Sequence, residues 1–91
     1  MSVSVRVPTI LRPYTQGVSE VAAEGATLID VLDSLDGSYP GIKGRVLDES
    51  GELRRFVNVY VDDDDVRFAE GLQTAIKDGG QVSIIPAVAG G

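Results

Sequence analysis

One amphipathic helix set among segments of strand character is the sequence feature that most restricts the fold. Its apolar residues repeat at positions i, i+3, i+4 and i+7 and form one stripe: Leu28, Val31, Leu32 and Leu35. Thr27 stands before the stripe as an N-cap, and Gly37 after it fits a stop signal. A helix that is apolar on one side must bury that side against a second layer. We therefore predict one main helix packed across a sheet.

The strongest strand signal lies in residues 55–61, which are rich in β-branched and aromatic side chains. Alternation places Val57, Val59 and Val61 on one face of that strand. Residues 2–7 and 81–86 alternate in the same way, and shorter strands are predicted at 18–22 and 66–68. The order of strands, helix and further strands predicts an α+β fold with a mixed sheet. The residues predicted to meet the helix stripe in one core layer are Val3, Val5, Val7, Val57, Val59, Val61, Val82 and Ile84.

The connecting segments carry turn signals and few chemical groups of interest. Residues 8–17 contain two prolines and a closing glycine and are predicted to form a loop, with Ile10 and Leu11 as a lid on the core. Four consecutive aspartates at 62–65 lack the spaced ligands and central glycine of an EF-hand loop, so they are interpreted as a solvated turn. Residues 71–76 are predicted to be a brief turn or a 3₁₀ segment, with Leu72 and Ile76 pointing inward.

Composition argues against a self-sufficient enzyme. The chain has 91 residues, enough for one domain, and contains neither cysteine nor histidine. A thiol nucleophile, the usual general base and the usual zinc ligands are therefore missing. We predict a protein that other enzymes act on, with no bound cofactor and no metal.

The charge of the chain bears on its partners. With 14 acidic and 8 basic residues the formal net charge is -6, which disfavours nucleic acid and anionic membrane surfaces and favours a protein with a basic docking surface. The sequence shows neither a long apolar run nor a basic region followed by an apolar core at its start. A cytoplasmic location is the expectation.

The last five residues, 87–91, follow directly on the closing strand and end in Gly90 and Gly91. Glycine permits close approach of the backbone, so a narrow channel in another protein could admit this end. The terminal carboxylate is ionised at neutral pH and is a poor acyl electrophile until a partner activates it. We divide the chain into a body, residues 1–86, and a tail, residues 87–91. The alternative is an ordinary frayed terminus without function.

Taken together, these elements resemble the ubiquitin-like β-grasp sulfur carriers of the MoaD/ThiS family, and among them the branch that serves cysteine biosynthesis. The resemblance runs over essentially the whole chain. A terminal Gly-Gly is common to the class, whereas the segment near Pro8 and the ending after Pro86 are more specific to that branch. The residues that carry the resemblance are 8–13, 55–61, 65–68 and 85–91.

The resemblance implies a set of partners and places every cofactor on them. A MoeB/MoeZ-type adenylyltransferase and sulfurtransferase would adenylate the Gly91 carboxylate with ATP-Mg and convert it to a thiocarboxylate. A CysM-like cysteine synthase that uses pyridoxal phosphate (PLP) would accept the sulfur, and a metalloprotease would release the cysteine. Gly91 and Gly90 are then the covalent carrier terminus.

The sequence also suggests where a partner would dock. Phe56, Tyr60 and Ile85 are predicted on the sheet face opposite the helix, beside the departing tail, and an exposed apolar patch often marks an interface. Within the tail, Val88 and Ala89 are assigned to contacts with the partner. The alternative, that loops cover Phe56, Tyr60 and Ile85, stays open at this point.

Three other functions remain open on the sequence. A molybdopterin synthase small subunit has the same fold and the same terminal chemistry but a different acceptor. A ubiquitin-like modifier would join Gly91 to lysines of other proteins. A passive interaction domain would not need its last two residues at all.

Overall fold

The computed structural model describes residues 2–55 and 57–86. Along the chain these residues form β1 (Ser2–Arg6), β2 (Glu20–Glu24), α1 (Leu28–Ser38), α2 (Lys43–Val46), β3 (Val57–Val61), β4 (Asp64–Asp65) and β5 (Gln81–Pro86). Short 3₁₀ helices at Thr9–Thr15, Val66–Phe68 and Gly71–Gln73 lie in the connections. The predicted tail, residues 87–91, lies outside the described residues, as does Phe56.

The strands form one mixed sheet in the order β2-β1-β5-β3-β4. The closing strand β5 lies at its centre, parallel to β1 and antiparallel to β3, and β1 pairs with β2 in an antiparallel hairpin. Helix α1 packs across one face of the sheet and covers β2 most closely. The predicted α+β architecture, a ubiquitin-like β-grasp with one main helix across a mixed sheet, is confirmed.

The core lies between α1 and the covered face of the sheet. The strand residues and helix stripe predicted to meet there are all buried, and six of them are fully inaccessible to solvent: Val5, Leu28, Val31, Leu32, Val59 and Val82. Residues outside the predicted set complete the core: Leu11, Val21, Ala23, Ile42, Val46, Leu47, Val66 and Ile76. Alternation and the helical repeat predicted the centre of the core because burial there follows the period of each element.

Helix α1 begins as predicted and ends later. The Asp30 backbone N–H donates to Thr27 Oγ1 at 3.4 Å, which confirms Thr27 as the N-cap. The prediction that Gly37 stops the helix is wrong, because the helix continues to Ser38 and the Tyr39 N–H donates to the Leu35 carbonyl at 2.8 Å. An exposed glycine is thus tolerated inside the last turn.

Replacing Gly37 with alanine should stabilise the protein. A methyl group at Gly37 meets no atom within 4 Å, and alanine in a helix interior is favoured over glycine by about 0.5–1 kcal/mol. Chemical denaturation of wild type and Gly37→Ala should show this increase in the free energy of unfolding. Gly25→Ala is the matched control, since a methyl there would lie 2.7 Å from the Val31 backbone nitrogen and should destabilise instead. Equal effects of the two changes would contradict the assignment.

Two predictions on the first connection are corrected. The loop predicted at 8–17 contains the 3₁₀ helix Thr9–Thr15, which ends at Gln16 in the left-handed region with φ 57°. The second strand was predicted at 18–22, but β2 spans Glu20–Glu24. Its start is delayed because the buried Thr15 hydroxyl donates to the Val18 carbonyl at 2.7 Å and holds the chain in a turn.

The segment after β3 also differs from the prediction. Residues 66–68 form a 3₁₀ turn and not a strand, because the Asp65 side chain accepts from the Arg67 N–H at 2.9 Å and caps that turn. Asp62 and Asp63 form a turn, and Asp64 and Asp65 form β4. The 3₁₀ segment predicted as one option within 71–76 is present as the 3₁₀ helix Gly71–Gln73. Among residues 2–55 and 57–86, no helix combines the length and the apolar character that crossing a membrane requires.

Candidate partner-docking site

The strand that precedes the tail in the sequence, β5, lies at the centre of the sheet. Strand β5 pairs with β1 on one side and with β3 on the other, and its last registered pair is Pro86 with Val57. Val82 and Ile84 are buried against the helix layer, which holds the strand down. Strand β5 is therefore held in the body by two hydrogen-bonded ladders and by core packing.

The sheet face opposite α1, here called the open face, carries mostly polar side chains near the middle of the strands. One row across four strands contains Glu20, Arg6, Ser83 and Tyr60. Arg6 Nε lies 3.9 Å from Glu20 Oε2, and Gln81 Nε2 donates to the same oxygen at 3.3 Å. On the open face, the first residues of β5 therefore lie in a polar network, and the apolar side chains lie at the end of β5.

A groove of about 920 Å³ runs beside that end of β5. Its apolar walls come from two segments that are distant in sequence: Pro8 and Ile10 on one side, Ile85 and Pro86 on the other. Ile10 is 66% exposed and Ile85 is 48% exposed, so both side chains present their carbon atoms to solvent. The exposed apolar surface thus flanks the point where the tail begins.

The 3₁₀ helix Thr9–Thr15 forms a fixed wall of this groove. Leu11 is buried in the core, and Arg12 Nε donates to the Val7 carbonyl at 3.2 Å. On its other side, Arg45 Nε donates to the Tyr14 hydroxyl at 2.6 Å, a bond that raises the pKa of Arg45. Because the wall is held at three points, the groove exists before any partner binds.

The groove differs in charge from the rest of this acidic chain. Arg6 and Arg12 both line it, and Glu20 is the acidic residue among the groove residues. Arg6 lies 3.9 Å from Glu20 Oε2, and the two arginines and one glutamate give the groove residues a small positive formal charge. The residues that line the groove therefore suit apolar and anionic groups.

The structure brings together the described members of the predicted docking patch. Tyr60 pairs with Ser83, and Ile85 pairs with Asn58, so Tyr60 and Ile85 are diagonal neighbours on the open face. Tyr60 is half-buried and Ile85 is exposed, so within the described part of the chain no loop covers Ile85. The other predicted site residues lie outside the described residues: Phe56, Val88, Ala89, Gly90 and Gly91.

Sequence reasoning missed two exposed apolar residues. Ile10 was predicted to cover the core together with Leu11, but in a 3₁₀ helix consecutive side chains point about 120° apart, so only Leu11 faces inward. Phe68 was placed in a short strand, and it is 91% exposed. Because Ile10 and Leu11 are adjacent in sequence, they could not both have faced the core, and the sequence could have shown this. The exposure of Phe68 became visible only in the tertiary structure.

Two of the four aspartates at 62–65 accept hydrogen bonds from backbone N–H groups. Asp62 Oδ1 accepts from the Gln81 N–H at 3.1 Å, and Asp65 Oδ1 accepts from the Arg67 N–H at 2.9 Å. In residues 2–55 and 57–86 no set of three or more candidate ligand side chains could hold a metal ion. The interpretation of the four aspartates as a solvated turn fits Asp62 and Asp63, which are exposed, whereas Asp64 and Asp65 form β4.

The described residues form a ubiquitin-like β-grasp body, and the sequence after its central strand ends in Gly90 and Gly91. This combination is typical of β-grasp carrier and modifier domains. The chain belongs to the ThiS family, whose model matches residues 5–91. The match includes the last residue, so it covers both the body and the tail.

Individual relatives resemble the chain over its full length. Sulfur carrier protein CysO of Mycobacterium tuberculosis is 56% identical over 93 residues, covering 100% of both chains. The crystal structure of the Amycolatopsis orientalis BexX/CysO complex contains a chain that is 49% identical, with a TM-score of 0.92 and coverage of 98% of this chain and 99% of that one. The crystal structure of M. tuberculosis CysO is 55% identical, with a TM-score of 0.91 and coverage of 94% and 99%.

Proposed function

We propose that this protein is a sulfur carrier whose Gly91 carboxylate is converted to a thiocarboxylate by a partner enzyme. The observation that carries the proposal is the ThiS family match, which extends through Gly91. The full-length identity to a protein named sulfur carrier protein CysO supports it. In this role the protein is a co-substrate and not a catalyst, and we place it in the cytoplasm.

The chemistry follows from the terminal carboxylate and needs two steps. A carboxylate oxygen of Gly91 attacks the α-phosphorus of ATP, and pyrophosphate leaves, which gives an acyl adenylate. Sulfide then attacks the acyl carbon, the carbon–oxygen bond to AMP breaks, and a thiocarboxylate remains. A chain without cysteine has no thiol on which to carry sulfur, so the terminus is the position available to it.

The body serves to deliver this end. Five extended residues, 87–91, span at most about 17 Å at 3.3–3.6 Å each, enough to enter a buried site while the body stays outside. Gly90 and Gly91 carry no side chain and would pass a narrow channel. The groove between Ile10 and Ile85, with Tyr60, Phe56, Val88 and Ala89, would meet the partner around the channel mouth.

We propose three classes of partner for the tail. A MoeB/MoeZ-type enzyme with ATP-Mg would form the thiocarboxylate. A CysM-like synthase would supply PLP and accept the sulfur, and a metalloprotease would then release the product. The existence of a CysO complex with BexX supports docking of such a body on a separate protein. ATP, magnesium and PLP belong to these partners.

Intact-mass spectrometry tests the proposal. With the activating enzyme, ATP-Mg and sulfide, the mass of the protein should increase by about 16 Da, the difference between sulfur and oxygen. The control omits ATP and should show no change. If the mass stays the same with an enzyme that is active on its own carrier, the sulfur-carrier proposal is wrong.

The thiocarboxylate form of the protein can also be used to distinguish the cysteine synthase from the other candidate acceptors. Transfer of sulfur from the loaded protein to a PLP cysteine synthase supports the cysteine branch. Transfer only to a molybdopterin synthase large subunit would instead assign the chain to that complex. Lysine peptides that carry a Gly-Gly remnant of this protein would assign it to the modifiers.

A further inference from the structure

Phe68 is the most exposed large apolar side chain of the described residues, and packing does not account for it. It is 91% exposed, against 48% for Ile85 in the groove. An aromatic ring can bury about 150–250 Å² on binding, and such side chains are enriched among residues that dominate protein interfaces. A ring of this size left in water suggests a contact with another molecule.

The backbone holds Phe68 in its outward position. Val66 is fully buried and anchors the 3₁₀ turn Val66–Phe68 in the core. The Asp65 carboxylate caps the start of the turn through the Arg67 N–H, and the Ala69 N–H closes it on the Val66 carbonyl at 3.1 Å. Three residues complete one turn of a 3₁₀ helix, so with Val66 inside, Phe68 must point elsewhere. The ring is presented on a rigid base and not on a loose loop.

Arg67, which precedes Phe68 in the chain, is held by two hydrogen bonds to residues before the turn. Arg67 Nη1 donates to Asn58 Oδ1 at 2.7 Å, and Arg67 Nη2 donates to the Arg54 carbonyl at 2.7 Å. These bonds hold the guanidinium against β3 and the segment before it. The charges that flank the turn along the chain are acidic and exposed: Asp62, Asp63, Asp64 and Glu70.

The turn is continuous with the docking face. Asn58, which holds Arg67, lies directly opposite Ile85 in the sheet register. Phe68 follows the edge strand β4, which is two strands away from β5 in the sheet order. Since neighbouring strands are about 4.8 Å apart, β4 itself lies roughly 10 Å from β5. A single protein surface of ordinary size could cover both Phe68 and the tail exit.

We propose that Phe68 is an anchor for the ATP-dependent activating enzyme, and that it enters an apolar pocket rimmed by lysine or arginine side chains. The inference rests on the proposed carrier function. The activating enzyme receives an ordinary terminal carboxylate, which every protein chain has, so it must recognise the body before any chemical label is present. The exposed acidic residues that flank the Phe68 turn along the chain would complement a basic rim and raise the rate of association.

The test measures pyrophosphate release by the activating enzyme at varied carrier concentration. Phe68→Ala should raise the KM for the carrier by about tenfold or more, with a smaller effect on kcat, because a lost anchor weakens binding of the body. Phe68→Leu should recover part of the loss. The matched control is Val18→Ala, a second exposed apolar residue, 46% exposed, next to β2 at the opposite edge of the sheet.

The acidic rim has its own measurement. Asp63→Asn with Glu70→Gln should raise the KM at low salt and make it less dependent on salt concentration, since exposed charges are screened by ions. Thermal unfolding of every variant should match wild type, because the altered side chains are exposed. This separates a binding effect from misfolding.

The possible outcomes are distinct. A KM for Phe68→Ala equal to those of wild type and Val18→Ala overturns the inference, even when wild type gains the thiocarboxylate. The inference is also overturned if Phe68→Ala alters only the transfer of sulfur to the cysteine synthase. The same holds if it alters only self-association, measured by sedimentation. If wild type is never activated, the carrier function has failed, and calorimetric binding of wild type and Phe68→Ala to the enzyme still decides on Phe68.

Discussion

Removal of Gly90 and Gly91 should abolish thiocarboxylate formation completely and leave the stability of the protein unchanged. The reacting acyl group would then belong to Ala89, whose carboxylate lies two residues, about 7 Å, short of the position that Gly91 reaches. The side chain of alanine would also stand where the channel needs bare backbone. The measurement is the increase of about 16 Da with the activating enzyme, ATP-Mg and sulfide.

The matched control for this truncation restores the length without the glycines. A chain in which Gly90 and Gly91 are both replaced by alanine keeps 91 residues. It tests only whether the last two residues must lack side chains. Denaturation should give equal free energies of unfolding for all three proteins, since the last registered strand pair is Pro86 with Val57. Normal thiocarboxylate formation by the truncated chain would contradict the assignment of Gly91 as the carrier terminus.

Leu32→Ala should have the largest effect on stability, lowering the free energy of unfolding by about 2–5 kcal/mol. Leu32 is fully buried in the middle of the α1 stripe, and its removal leaves a cavity that the sheet and helix cannot fill without moving. Small domains have only about 5–15 kcal/mol in total, so much of the stability would be lost. Urea denaturation followed by circular dichroism measures the change.

Ile10→Ala is the matched control for this core substitution, because it removes the same number of carbon atoms from a side chain that is 66% exposed. We expect a change within about 0.5 kcal/mol for that variant. If both substitutions cost the same, the separation of core and groove described for these residues would be wrong.

The centre of the fold was predictable because burial there follows a local period. The valines of β3 alternate and the leucines of α1 recur every three to four residues, and both sets lie where the pattern placed them. Thr27 was recognisable as a cap because its side chain bonds a backbone N–H only three residues away. Interactions between residues close in sequence leave their mark on the sequence.

The errors lie where distant contacts compete with local preference. The segment 66–68 has the residues of a strand, but Val66 fills a space in the core and the Asp65 cap turns the chain out of the sheet. The second strand starts two residues late because the Thr15 hydroxyl holds the preceding turn. Ile10 and Leu11 are equally apolar, and only the 3₁₀ geometry decides which of them faces the core.

The sequence by itself determined the class of fold, the core and the Gly-Gly terminus, because each depends on a repeat or on the order of residues along the chain. The tertiary structure alone decided that β5 is the central strand, that Ile10 and Ile85 share a groove, and that Phe68 stands outside the body. These features join residues far apart in the sequence. Their geometry follows from strand pairing and packing, which no local pattern records.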